Sequence, residues 1–326
     1  MTDGVPLRGS LRSRSAAALS TVTLRQISAA LPPERAWGLW LSRQILARIM
    51  DTFGPSLAGS RVEQVDSVQP DGHRVVGEWV WGSGVTPCEA SQVIYFIHGS
   101  GYALCSPRTH RRLTAWLSRL TGLPVFCVDY RLAPRHRFPT AADDVRAGWD
   151  WLVRDRDPKS IVLVGDSAGG HLAVDLLLQP DVAAAQPAAV VLFSPLVDLT
   201  FTLASATERQ RRDPAIRAID AARLLALYSR GIDPSHPRLA LDVAAAQPLP
   251  PTLIQAGGAE MLAGDARRLA ADIRAAGGSC ELQIWPDQPH VFQALPRLSP
   301  EAARAMAYAA QFIADSLTAD KVEEAS

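Results

Sequence analysis

Residues 161–170 read Ile161-Val162-Leu163-Val164-Gly165-Asp166-Ser167-Ala168-Gly169-Gly170. The first four are aliphatic on both faces, as in a strand buried in a parallel sheet. The following stretch, 168–178, reads as helix. Ser167 thus stands in a G-x-S-x-G sequence at a strand-to-helix junction, the context in which that pattern presents a nucleophile. The turn must be so sharp that side chains at 165 and 169 would clash. The helix also directs its positive end at the serine. The plain alternative is a Gly-rich structural turn in a chain with 22 glycines; the flanking strand and helix favour the nucleophile.

Working outward, short apolar runs recur at 74–81, 93–97, 124–128, 189–193, 252–255 and 280–285, most of them ended by Gly, Pro or Asp. Helical periods fill 108–121, 141–154, 265–276 and 300–317, with Gly277-Gly278 as a natural stop. From about residue 90 the chain therefore alternates strand and helix, which predicts an α/β fold: a mostly parallel sheet with helices on both faces. Residues 198–251 break the alternation with helical fragments, arginines and prolines, and read as an insertion capping the sheet. Residues 1–60 would supply the rest of the cap, leaving core segments at 61–197 and 252–326.

The stretch 24–53 reads as one helix. Trp37, Leu41, Ile45 and Ile49 recur at four-residue steps, with Trp40 and Leu46 beside them. The simplest reading is a helix packed on the rest of the chain. A sharper one is a lid over an apolar pocket, to which Trp37 and Trp40 could contribute. A membrane-surface helix fits less well because its polar face is not heavily basic.

Composition narrows the function. The 326 residues are 48% hydrophobic and 20% charged, the profile of a soluble globular protein. Thirty-three basic and 33 acidic residues cancel, which argues against a nucleic-acid partner. No run approaches the ~20 apolar residues of a membrane helix, so stable membrane insertion is not expected. The first twenty residues lack a continuous apolar stretch, so no secretory signal is expected and a cytoplasmic location follows. Cys88, Cys105, Cys127 and Cys280 show neither C-x-x-C nor zinc-ligand spacing, and Cys127 reads as a core residue.

Three further features carry chemistry. His98-Gly99-Ser100-Gly101 ends the run 93–97 and can present backbone N–H groups to a developing oxyanion. Ala168, directly after Ser167, can add another. His290 follows the last strand and precedes the final helix, where the base of a Ser–acid–His chain order belongs. Glu260 lies after the strand 252–255 and can fix the imidazole tautomer. Asp265 is the second choice, better placed at a helix N-terminus; Asp287 is too near His290 in sequence. His98 belongs to the donor loop, and His171 sits a turn beyond Ser167 and points elsewhere. His73, His110, His136 and His236 need only structural or solvated roles.

Together these motifs resemble the bacterial hormone-sensitive-lipase-like family of α/β-hydrolases. His98-Gly99-Ser100-Gly101-Tyr102 looks like its H-G-G-G loop, and Asp129-Tyr130-Arg131-Leu132-Ala133-Pro134 like its D-Y-R-L-A-P segment. Phe138-Pro139, Asp143-Asp144, the G-D-S-A-G-G of 165–170 and Ser194-Pro195 follow in order. The resemblance covers about 93–312. It implies an eight-stranded sheet, a helical cap, no cofactor and hydrolysis of short- to medium-chain carboxylic esters. Ser167, Glu260 and His290 would be catalytic, with the N–H groups of Ser100, Gly101 and Ala168 as oxyanion donors. Three positions depart from the pattern: Ser100 replaces a glycine, Glu260 stands where Asp is usual, and Arg135 where Glu is usual. A small-molecule ester is the expected partner, and a homodimer is left open. Other acyl chemistries, as in an amidase, deacetylase or lactonase, fit the same triad. A ligand-binding homologue without catalysis would be marked by loss of Ser or His, and both stand here.

Overall fold

The computed structural model describes residues 5–70, 72–86 and 91–323, and the side chains as far as 318. Cys88 lies outside the described residues. Three helices come first, α1 (Leu11–Val22), α2 (Leu24–Ala30) and α3 (Ala36–Phe53). Strands β1 (Arg61–Val68) and β2 (Arg74–Trp81) follow. Next are β3 (Val93–Ile97), α4 (Pro107–Thr121), β4 (Val125–Val128), α5 (Thr140–Val153) and β5 (Ile161–Asp166). Helices α6 (Ala168–Leu177) and α7 (Pro180–Ala184) lead to β6 (Ala189–Phe193). Residues 198–251 hold α8 (Thr202–Gln210) and α9 (Ala218–Ser229) and no strand. The chain then forms β7 (Thr252–Gly257), α10 (Ala263–Ala275), β8 (Cys280–Trp285) and α11 (Ala302–Glu323).

The eight strands form one sheet in the order β1-β2-β4-β3-β5-β6-β7-β8. β1 and β2 run antiparallel to their neighbours, and all pairings from β4 to β8 are parallel. Every residue of β3, β5, β6 and β7 is buried, so both faces need cover. Alternation along each strand divides the core in two. Tyr95, Ile97, Leu163 and Leu192 pack with Val145, Leu172, Leu225 and Leu269 from α5, α6, α9 and α10. Ile94, Phe96, Val162 and Val191 pack with Leu113, Leu117, Met306 and Ile313 from α4 and α11. Truncating Phe96, which is fully buried, would cost about 3–5 kcal/mol. Cys127 is buried in the second core, and Cys105, Cys127 and Cys280 are free thiols.

Three details differ from expectation. The strand β1 has no counterpart in the sequence reading. None of its eight residues is buried, so its three valines give no apolar face. Arg61, Glu63 and Asp66 instead guard an exposed sheet edge. The single helix expected at 24–53 is two, because Pro32-Pro33 denies the backbone donors a continuous helix requires. Helix α1 also went unread; Ser10 caps it by accepting from the Ser13 N–H, and only Ser13 in it is buried. Among the described residues no helix is long and apolar enough to cross a membrane.

Candidate active site

The turn after β5 builds the site. Ser167 has φ 51° and ψ −120°, a strained conformation that projects its hydroxyl from the strand end. Both glycines are required by close backbone approach. A Cβ on Gly165 would meet the Gly169 carbonyl oxygen at 2.7 Å, and one on Gly169 would meet that of Ile97 at 2.0 Å. The turn is tied inward by the Ser167 N–H to the Phe193 carbonyl (2.9 Å) and outward by the Leu196 N–H to the Ser167 carbonyl (3.0 Å).

Ser167 Oγ lies 2.9 Å from His290 Nε2. His290 Nδ1 donates to Glu260 Oε2, which leaves Nε2 as an acceptor for the serine proton. Glu260 is buried, and its other oxygen accepts from the Gly257 N–H (2.7 Å). The loops carrying acid and base are knit together: Gly258 donates to the Trp285 carbonyl (2.7 Å) and Ala259 to that of Gln288 (3.0 Å). A side chain at Gly257 would strike the Gln288 carbonyl at 2.3 Å. Burial opposes charge on His290, but the Glu260 carboxylate, by Coulomb attraction and hydrogen bond, and Asp213 and Asp166 behind it, raise its pKa above the ordinary 6.5.

The donor loop follows β3. Ser100, Gly101 and Tyr102 take positive φ in succession, at 102°, 58° and 59°. Ser100 is thus a non-glycine in a region that favours glycine, and its Oγ accepts from the Cys105 N–H at 2.7 Å, closing the loop on itself. The Tyr102 ring stacks on Tyr228 of α9, centroids 4.1 Å apart. Among the described residues the N–H groups of Ser100, Gly101 and Ala168 donate to no protein acceptor. Ser100 and Gly101 line the same cavity as Ser167 and His290. Free donors beside a serine hydroxyl paired to a histidine are of the kind that can hold a developing oxyanion.

That cavity is about 240 Å³. Its walls combine the strand-end loops with Ile27 of α2, Ile45 and Ile49 of α3, Phe201 and Leu224. The outer side of α3 departs from the expected stripe: Trp37 and Trp40 are 58% and 61% exposed and contribute to neither core nor cavity.

The remaining sequence candidates lie elsewhere. Asp265 Oδ1 accepts from the N–H groups of Val197 and Asp198 (2.9 Å each), and burial pushes its carboxyl up to about 7. Asp287 pairs with Arg211 (2.6 Å). His171 makes its contact with the Leu239 carbonyl (3.3 Å), and burial lowers it to about 4. His98 stacks on Tyr130 at 4.2 Å; burial, with His110 beside it, takes it down to about 3 and keeps it neutral.

Three supporting residues were missed. Asp166 accepts from the Gly99 N–H (2.9 Å) and approaches His110 (3.3 Å), locking the nucleophile turn to the donor loop. Burial works against its charge, yet His110, His98 and that N–H hold it below the usual carboxylate range. Its place inside the quoted motif was the available signal. Ser194 Oγ accepts from the Val291 N–H (3.0 Å), fixing the residue after His290. Asp213 accepts from Met261 (2.9 Å), next to Glu260, and from Ala215 and Ile216. Burial pushes the Asp213 carboxyl up, and those donors partly restrain it. Nothing local marks Asp213, because its partner is 48 residues away.

The profile of the alpha/beta hydrolase fold family matches residues 94–294. The esterase LipU of Mycobacterium tuberculosis is 35% identical over 245 residues, 73% of this chain and 82% of LipU. The carboxylesterase/phospholipase LipF of the same organism is 38% identical over 71% of this chain, which spans 64% of LipF. A crystal structure of an esterase from the bacterial hormone-sensitive lipase family superposes with a TM-score of 0.82 at 32% identity, covering 95% of this chain and 100% of that one. A shared sheet, a strand-end serine and similarity along most of the chain lead to one assignment: the protein belongs to the α/β-hydrolase fold family, among the hormone-sensitive-lipase-like esterases.

Proposed function

We propose that the protein is a serine carboxylesterase acting on short- to medium-chain esters through an acyl-enzyme. The observation that carries this reading is the Ser167 Oγ–His290–Glu260 relay opening into an apolar cavity. In this mechanism His290 takes the Ser167 proton as Oγ attacks the ester carbonyl carbon. The N–H groups of Ser100, Gly101 and Ala168 hold the oxyanion; losing one such donor typically costs about 2.7–4 kcal/mol. His290 then protonates the departing alcohol, and the acyl group stays on Ser167. Water, deprotonated by the same imidazole, attacks the acyl-enzyme and frees the acid. Glu260 keeps the proton on Nδ1 and stabilises the imidazolium. The cavity takes the acyl chain between α2, α3 and α9, and a cytoplasmic location is part of this reading.

Hydrolysis of p-nitrophenyl esters from acetate to palmitate, measured beside Ser167→Ala, tests it. Activity that peaks at short or medium chains and disappears in the variant is expected. Activity that survives Ser167→Ala, or a folded enzyme inert to every ester, would overturn the reading.

A further inference from the structure

Ten large hydrophobic side chains stand exposed among the described residues, and seven of them lie between positions 7 and 40: Leu7, Leu11, Leu19, Val22, Ile27, Trp37 and Trp40. An eighth, Ile219, precedes Asp220 and Ala221 of α9, which line the cavity. Scattered exposed apolar residues need no explanation, but this concentration on and just before the first three helices does. The region as a whole also carries a larger basic excess than the 24–53 stretch alone. Residues 1–53, to the end of α3, hold seven arginines against Asp3, Glu34 and Asp51, a net +4 in a chain whose total is zero. Arg8, Arg12, Arg35 and Arg48 are exposed and make no ion pair among the described residues.

We propose that α1, α2 and α3 form a docking surface for an anionic lipid bilayer. Exposed Trp and Leu enter the headgroup boundary, while arginines meet lipid phosphates. The chemistry distinguishes this occupant from a second copy of the chain. A two-fold contact through this surface would set the four unpaired arginines of one copy against the same four of the other, which disfavours association. Continuity with the cavity points the same way. Ile27 is 45% exposed and also lines the cavity, so the apolar surface runs into its mouth. An apolar ester could pass from lipid to the site without crossing water. Docking itself goes beyond the esterase reading and does not depend on it.

The test is cosedimentation of the full chain with phosphatidylcholine vesicles, with and without phosphatidylglycerol, at low and high salt. Binding to the anionic vesicles alone, weakened by salt, is expected. A Trp37→Ser/Trp40→Ser variant and an Arg12→Glu/Arg48→Glu variant should each lower the partition coefficient by about tenfold or more. Both should retain hydrolysis of p-nitrophenyl acetate in solution, which separates failure of docking from failure of the esterase reading. Absence of vesicle binding, or binding unchanged in both variants, would overturn the proposal. A concentration-dependent dimer that Trp37→Ser/Trp40→Ser abolishes would overturn it in favour of self-association.

Discussion

The turn at Ser167 and the helix α3 line the same cavity, but they are held in different ways. The turn is fixed by backbone contacts: Gly169 lies against the Ile97 carbonyl, Gly165 against Gly169, and the Ser167 N–H against Phe193. Helix α3 is held mainly by side chains. Leu39 and Met50 are buried, and Arg43 reaches the Ala103 carbonyl (2.8 Å), while Trp37 and Trp40 face outward. Backbone contact allows almost no residue but glycine, whereas side-chain packing accepts many sequences of similar volume. In the proposed function the chemistry rests on the intolerant region and substrate fit on the tolerant one. Substitutions at the two should differ in what they change and by how much.

The largest effect is expected at the relay. In Glu260→Gln the amide N–H₂ would face Nδ1 and impose the wrong imidazole tautomer, lowering kcat by about ten-thousandfold with the fold intact. A kcat within tenfold of the parent would remove Glu260 from that role. Next is Gly169→Ala, whose Cβ would stand 2.0 Å from a main-chain oxygen. Denaturant unfolding should register a loss of about 3 kcal/mol or more, or no folded protein. A stable, active Gly169→Ala would show that the turn yields after all.

The pH profile sharpens the account of the same region. In the proposed mechanism His290 acts as a base only when neutral, and its neighbours raise its pKa above 6.5. The rate should thus climb as pH rises through a midpoint above 6.5, a proton leaving the imidazolium. A midpoint below that value would mean that burial outweighs Glu260. On the tolerant side, Ile45→Trp should cut p-nitrophenyl hexanoate turnover relative to acetate by about tenfold, with stability little changed. The smallest effect belongs to Trp37→Ser, where a 58% exposed side chain should alter stability by less than about 0.5 kcal/mol.

Legibility in the sequence follows the same division. Ser167 and His290 could be read because a sharp turn requires its glycines and a fixed chain order requires its histidine. Both glycines do meet backbone where a side chain would sit. Glu260 was found from its strand, and it reaches His290 despite being a carbon longer than Asp. Ser100 stands out in the sequence as a replaced glycine, and its φ of 102° lies where glycine is favoured, but its bond to the Cys105 N–H could be seen only in three dimensions. Strand β1 escaped because an edge strand with no buried residue carries no apolar alternation. The Trp37–Ile49 stripe was half right: Ile45, Leu46 and Ile49 line the cavity while Trp37 and Trp40 face solvent, because period alone identifies a helix face without saying what covers each part of it. Asp213 had no signal at all, since its value comes from meeting Met261 across the fold.

The most direct test of the Ser167 relay is covalent capture. Diethyl p-nitrophenyl phosphate transfers its phosphoryl group to an activated serine and releases p-nitrophenol, and peptide mass spectrometry then locates the adduct. A single diethylphosphoryl group on Ser167, absent after His290→Ala, is the predicted result. An adduct on another residue, or an unmodified protein that remains folded, would contradict the assignment.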